Sequence, residues 1–453
     1  MKTGIFLIAF LFTAIVSTTA QTAQPSPTTD ARRPRVVAAP TPYIAPSPRP
    51  SATPPVVSNS TLSPSPTPQR VIIVNGVPPK YSPTPQMSPA PRPFVTPTPF
   101  AAPSPSPNTA TTRKGLLSFG QIRAKIVEAK RLMQTRPVQT SAVTGFTSTE
   151  IVTLAALDPK SQALHLISLS KESFLTVGNL SYVTSSLNKL VRVATIRANG
   201  VNTAVTIYDD TNQPLVPLIV QYPIERGGSF QEMAYYTSAH PTLLSSEVTR
   251  AGQLYVRATI ETGLKKLRER GIFISPAVAA IAEELCLIEH VDHQRFLNES
   301  RPALYDEIFT LFALNEGNTY RYAVSTAGAG GLVQMIPATY RMVRAQHPNV
   351  GLMPDFVSGM RDHTNAVQAE LLYMQDTWSD LLMSDTIANA LETGIATDAE
   401  LMAAGYNSNP ARLASYIRRS GANWKYAIPR ETQMYLQIQR SVQATIPKLP
   451  PIK

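Results

Sequence analysis

The chain has 453 residues, 41 of them proline and one of them cysteine, with a formal net charge of +11. Twenty-five prolines fall between Gln21 and Thr112, which leaves roughly 340 residues from Arg113 onward to build cores. Eight Lys/Arg and a single acid, Asp30, precede Arg113; the remainder carries 33 basic and 29 acidic residues without a long cationic run. That distribution sets nucleic acid aside as a partner and suits an anionic polymer or a membrane surface. A single cysteine, Cys286, excludes an intramolecular disulfide, and its apolar helical setting predicts a buried thiol.

Met1 to Ala20 reads as a secretory signal. Lys2 supplies the positive start, Ile5 to Val16 the apolar run, and Thr18-Thr19-Ala20 the small residues before a cleavage at Gln21. A retained N-terminal anchor is the alternative, and no cysteine stands nearby to carry a lipid. The expected address is the periplasm or cell envelope. Residues 21–112 are rich in Pro, Ser and Thr, with runs such as SPSPTPQ (63–69), and predict an extended, disordered spacer. Val71 to Val74 form one apolar patch within it, a candidate docking motif.

Residues 113–244 predict a short helix followed by a small, mostly-β module. Leu117, Ile122, Ile126 and Leu132 recur at helical spacing. Segments 151–157, 163–169, 190–196 and 204–207, then LVPLIVQYPI, are rich in aliphatic and β-branched residues and separated by turn signals. No catalytic constellation is visible there; a sugar-binding, partner-binding or spacing role fits equally. Helical periodicity returns at 245 and persists almost to 453, with Ser275-Pro276 as a helix start.

The chemistry-bearing stretch is ALNEGNTYRYAVSTAGAGGLVQMIPATY (313–340). An apolar segment, Ile308 to Leu314, delivers Glu316 to a helix end. A glycine-rich turn, Gly328 to Gly331, follows, and a second helix is expected to open with Gln334 and to end or bend near Pro337. A carboxyl at the end of an apolar helix is a candidate general acid, because desolvation raises its pKa.

This stretch resembles the core motif of the soluble-type lytic transglycosylases: a glutamate, then Ala-Val-Ser, then Gly-Ala-x-Gly-Leu-Met-Gln-x-x-Pro-x-Thr. Ala323 and Ser325 stand seven and nine residues after Glu316, and GAGGLVQMIPAT follows with Val333 where methionine is usual. RDHTNAVQAELLYM (361–374), AAGYNSNPARL (403–413) and PRETQMYLQI (429–438) resemble the family's later blocks in order. The resemblance implies an all-α lysozyme-like domain over 245–453, acting on peptidoglycan glycan strands with a single glutamate and neither cofactor nor metal. It assigns Glu316 as the acid, Ser325 as an orienting residue, and Gly331, Gln334, Met335, Tyr406 and Asn407 to the sugar cleft. The product would be a 1,6-anhydromuramoyl end.

Two alternatives stand beside that reading. SPAVAAIAEELCLIEHV also resembles the family's first helix, which would make Glu289 the acid and 294–320 an insertion. The activity itself could instead be hydrolysis of the same bond, or the fold could serve as a non-catalytic wall-binding scaffold. A cell-envelope protein, engaged through the β module or the Pro-rich segment, is a further expected partner. His290 and His293, three apart, lack a third metal ligand at matching spacing. Trp424 is weighed as a sugar-stacking residue against a place in the core.

Overall fold

A computed structural model describes residues 117–135 and 147–452. The expected signal segment and Pro-rich spacer lie outside the described residues. A mostly-β region over 151–236 is followed by a helical region that runs to Thr445.

The first helix, α1 (Phe119–Thr135), buries Ile122, Ala129 and Met133 on one face. Strands β1 (Ile151–Leu157) and β2 (Leu164–Ser170) pair antiparallel, and a short helix α2 (Lys171–Leu175) follows. Then come β3 (Leu180–Thr184), β4 (Leu190–Arg197), β5 (Ala204–Asp209), β6 (Pro214–Arg226) and β7 (Ser229–Tyr236). Among the described residues these form one antiparallel sheet in the order β2-β1-β6-β5-β4-β3, with β7 added on β6. The turn after β3 returns to β2, where the Ser186 amide donates to the Leu166 carbonyl at 2.9 Å, so the sheet curls toward closure. Sequence periodicity did not reveal β3 and β7: β3 is only five residues long, and β7 (SFQEMAYY) begins with an exposed polar stretch.

The run IVTLAAL lacks the alternation of a half-exposed strand because both faces of β1 are covered. Val152, Leu154 and Ala156 enter the interior of the curled sheet, while Ala155 and Leu157 face α1 across a second core. Strand β6 does the same with Leu215 and Val220 on one side and Val216 and Leu218 on the other. Pro217 cannot donate to the ladder, and the β1–β6 register shifts beside it, between Ala155 and Ala156.

The helical region opens with α3 (Ser246–Glu269), capped by the Ser245 hydroxyl, and α4 (Pro276–Ile288), capped by Ser275 with Pro276 in the first turn. Next are α5 (His293–Asn298) and α6 (Arg301–Asn315). They are followed by α7 (Pro337–Gln346), α8 (Phe356–Arg361), α9 (His363–Leu382), α10 (Asp385–Glu392) and α11 (Asp398–Asn407). Helices α12 (Leu413–Ser420), α13 (Trp424–Ala427) and α14 (Arg430–Thr445) close the chain.

Helix α6 is apolar on every side because it meets three cores. Phe309 and Phe312 pack in the helical core, Leu311 in the sheet interior, and Ala313 beneath α1. Its crossing with α3 is close: a Cβ on Gly252 would lie 1.9 Å from the Phe309 carbonyl oxygen. Polar groups lock the same junction. The Asn315 side chain accepts from the Thr237 amide at 2.8 Å and donates to the Thr237 carbonyl at 2.8 Å. Glu307 takes Arg197 from β4 at 2.8 Å and Arg295 from α5 at 2.6 Å. Burial alone would raise the Glu307 carboxyl, but Arg295 and Arg197 hold it below its ordinary value.

Candidate active site

Helix α4 ends with Glu289 in its cap position, one turn beyond Cys286. The preceding run, PAVAAIAEELCLI, buries Ile281, Ala282, Leu285 and Cys286, so the helix delivers a carboxyl from an apolar stem. Glu289 keeps part of its surface, and burial of its carboxyl pushes it up to about 7. Tyr435, from α14, donates its hydroxyl to Glu289 Oε1 at 2.6 Å and pulls the other way, toward the ionised form. Glu431, one turn earlier on α14, adds a raising charge.

The glycine turn is held against this helix end through its carbonyls. His290 Nε2–H donates to Leu332 O at 2.7 Å, Tyr406 donates to Val333 O at 2.6 Å, and Gln334 Nε2 donates to Gly331 O at 2.8 Å. Three consecutive carbonyls of one turn thus each receive a side-chain donor. Gln334 sits at φ 46°, a conformation costly for a residue with a Cβ, and its own amide closes the turn that demands it. Bridges between Val324 and Gly330 and between Gly330 and Met335 complete a small, tight hairpin. The Ser325 hydroxyl belongs to this hairpin, where it accepts from the Ala329 amide at 3.0 Å.

The ring of His290 carries a second structural duty. It lies parallel to Tyr320, with centroids 3.4 Å apart, and Phe312 stands edge-on to both. Burial lowers His290 to about 3, so the imidazole is neutral and its Nε2–H is fixed by the Leu332 carbonyl. Nearby His363, on α9, accepts from Tyr255 at 2.8 Å and donates to Thr319 O at 2.8 Å; burial lowers it to about 4.

Not every residue expected at the site belongs to this group. Tyr406 lies within the reach of Glu289 and fastens the turn that carries Gln334 and Met335, whereas Glu316 is set apart. Glu316 does end a helix, as its apolar lead-in predicts, but at φ 46° it turns outward and pairs with Arg123 of α1 at 3.0 Å. Both side chains of that pair are about half exposed, 54% and 48%, so the pair adds little stability. In sequence, helices α5 and α6 lie between Glu289 and the hairpin, and Glu316 follows the end of α6.

Other expectations are corrected by packing. Gly331 is needed for a close approach to protein: at φ 70°, its Cβ would sit 2.2 Å from the Met360 carbonyl oxygen. Pro337 opens a helix and does not end one, because its missing N–H is harmless in the first turn. Trp424 is fully buried and donates to Ile395 O at 3.1 Å, which makes it a core residue. Met335 is also buried, at 3% exposure, beneath the turn. Asn407 has a buried Oδ1 without a hydrogen-bond partner.

Glu370, on α9, was not singled out in the sequence. It is wholly buried, its Oε1 has no partner, and its Oε2 lies 3.9 Å from the Cys286 thiol. Burial and then the Glu289 charge push its carboxyl well above the carboxylate range. A signal did exist: a glutamate inside AVQAELL, where α9 is apolar nearly all round, has no solvent face to occupy.

Comparison of the chain with protein-family profiles, with curated protein sequences and with solved structures returns no match.

Proposed function

We propose that the chain is a peptidoglycan lytic transglycosylase, with a lysozyme-like helical region and Glu289 as its acid and base. The observation that carries this reading is the placement of Glu289. Its carboxyl, raised to about 7, ends an apolar helix, is held by Tyr435, and is flanked by the hairpin that Tyr406 fastens. A group titrating near 7 can give a proton and take one back at neutral pH.

On this reading Glu289 protonates the glycosidic oxygen as the bond from muramoyl C1 to that oxygen breaks. The Glu289 carboxylate so formed then accepts the proton of the muramoyl 6-hydroxyl as O6 bonds to C1. The carboxyl returns protonated, and the product is a 1,6-anhydro end formed without water. Tyr435 steadies the carboxylate between the two transfers. Ser325 acts through the hairpin, Met335 supports that turn from beneath, and Gln334, Tyr406 and Asn407 shape the cleft side. The resemblance of the four sequence blocks to the soluble-type lytic transglycosylases supports the same activity, and with it the cell envelope as the place of action, although its spacing assigns the acid to Glu316.

The test is digestion of purified peptidoglycan by the full chain, with products read by mass spectrometry beside Glu289→Gln and Glu316→Gln. Anhydromuramoyl ends that vanish in the Glu289 variant and persist in the Glu316 variant are expected. Loss only in the Glu316 variant would return the acid to that position. Reducing ends would make the enzyme a hydrolase, and an absence of products would make the fold a wall-binding scaffold.

A further inference from the structure

We propose that Glu370 is a positioning residue for Glu289: a buried neutral acid whose O–H supports the Glu289 carboxylate at the moment that carboxylate forms. The inference deepens the proposed function and rests on it for its catalytic meaning.

The geometry is that of one enclosed group contributed by several helices. Helix α4 brings Cys286 and Glu289 on the same face, one turn apart. Helix α9, packed against α4, brings Glu370 with Oε2 at 3.9 Å from the Cys286 sulfur and Oε1 unpartnered. Helix α11 brings Tyr406, and α14 brings Tyr435; burial first, and then the nearby carboxyls, Glu289 and Glu370 among them, push both phenols upward, which places the two tyrosines beside the two acids. Tyr373, on α9 itself, stacks edge-on to Tyr406 at 5.8 Å. Glu431 is the remaining charged neighbour of Glu289. Among the described residues no lysine or arginine acts on Glu370, and only the Cys286 contact favours a charge there.

Two carboxyls in one apolar enclosure do not ionise together. Glu289 has partial exposure and a tyrosine donor, so it is the member that ionises; Glu370 has neither and keeps its proton. A protonated carboxyl has one O–H to give, and its oxygens have no committed acceptor or donor among the described residues besides the weak thiol contact. Proton delivery by Glu289 creates an acceptor in the same enclosure. The O–H of Glu370 then donates toward it, and returns to rest when Glu289 regains its proton from the sugar hydroxyl. No bond to Glu370 forms or breaks in this sequence. A leucine would fill this space without the cost of burying a carboxyl, which is why a glutamate here points to a role at the site.

The test titrates the full chain, labelled with carbon-13 at the glutamate carboxyls, by NMR between pH 4 and 9. The Glu289 resonance is identified by its loss in Glu289→Gln. The wild-type midpoint is expected near 7. Glu370→Leu should move it up by about one pH unit, because the donor is gone. Glu370→Gln, which restores an N–H donor in the same place, should bring it back toward the wild-type value. Glu370→Met provides a second apolar variant should the leucine chain fold poorly. Coincident midpoints in the wild-type and both apolar chains would overturn the proposal, as would a Glu370 resonance that titrates below that of Glu289. In parallel, release of anhydro ends should fall about tenfold in Glu370→Leu and recover in part in Glu370→Gln. A wild-type chain that releases no such ends would sink the proposed function, while the NMR midpoints would still decide whether the two carboxyls are coupled.

Discussion

Tyr435 donates its hydroxyl to Glu289 Oε1 at 2.6 Å, across 146 residues of sequence. The bond opposes the effect of burial: the phenol favours the ionised carboxyl, and the enclosure favours the neutral one. A hydrogen bond to a charged group contributes about 1.5–3 kcal/mol. Tyr435→Phe should therefore raise the Glu289 midpoint by about one to two pH units and slow anhydro-end release about tenfold. The pH profile of product release checks this; an alkaline limb that stays in place would show that the bond does not act on the acid.

Stability should carry the same signature. The folded chain holds the Glu289 proton more tightly than the unfolded chain, about 7 against the ordinary glutamate value of 4.5. The stabilisation is therefore complete below 4.5 and is lost as pH rises through about 7, on the order of 3 kcal/mol in all. Urea denaturation of wild type and Glu289→Gln at pH 4.5, 6 and 8 should show the wild type losing stability relative to the variant as pH rises, because the neutral amide mimics the protonated carboxyl and has no charge to bury. Parallel curves would contradict the burial of this carboxyl.

The two buried histidines act in the opposite sense. With folded values near 3 for His290 and 4 for His363, the unfolded chain binds their protons first as pH falls below 6.5. Stability from this source is present above 6.5 and declines as pH falls toward 3–4. His363→Gln should remove part of that decline, measured as the drop in Tm between pH 7 and pH 4.5. An undiminished drop would place the acid sensitivity elsewhere.

Asn315→Ala would leave the buried Thr237 amide and carbonyl without their partner. Two orphaned groups cost about 2–4 kcal/mol together, read as a lower urea midpoint with far-UV circular dichroism unchanged at zero denaturant. A change below about 0.5 kcal/mol, the range of an ordinary surface substitution, would mean that the junction does not depend on this contact.

Gly331→Ala places a methyl 2.2 Å from the Met360 carbonyl oxygen in a backbone that already has φ at 70°. The hairpin has to shift, and with it the carbonyls that His290 and Tyr406 hold. A loss of more than about 1 kcal/mol is expected, together with a fall in product release larger than in the stability-matched Asn315→Ala. Equal effects on release would assign Gly331 to folding alone.

Much of the architecture was legible because periodicity reports burial. Alternation and continuous apolar runs located β1, β2, β4, β5 and β6, and Ser275-Pro276 marked the start of α4. The candidate site appeared in the sequence as ordered blocks, but the difference in surroundings between its two glutamates did not. Spacing counts residues, and Glu316 stands at the offset from Ser325 that the motif requires; it does not report that Glu316 ends α6 facing outward while Glu289 is enclosed. What separates Glu289 from Glu316 is enclosure and a partner on α14, both set by tertiary packing. Glu370 and the structural duty of His290 escaped notice for the same reason, since they depend on which carbonyl or carboxyl lies opposite.

Helix α6 draws its neighbours from all three cores. Anyone dividing this chain for recombination would look first at the connection between Tyr236 and Ser246, where strands give way to helices. A cut there strips α6 of its sheet-facing and α1-facing walls and exposes Leu311, Ala313 and the paired Asn315. The smallest severable piece is therefore the β region and the helices together, and a transplanted site would have to carry its sheet with it.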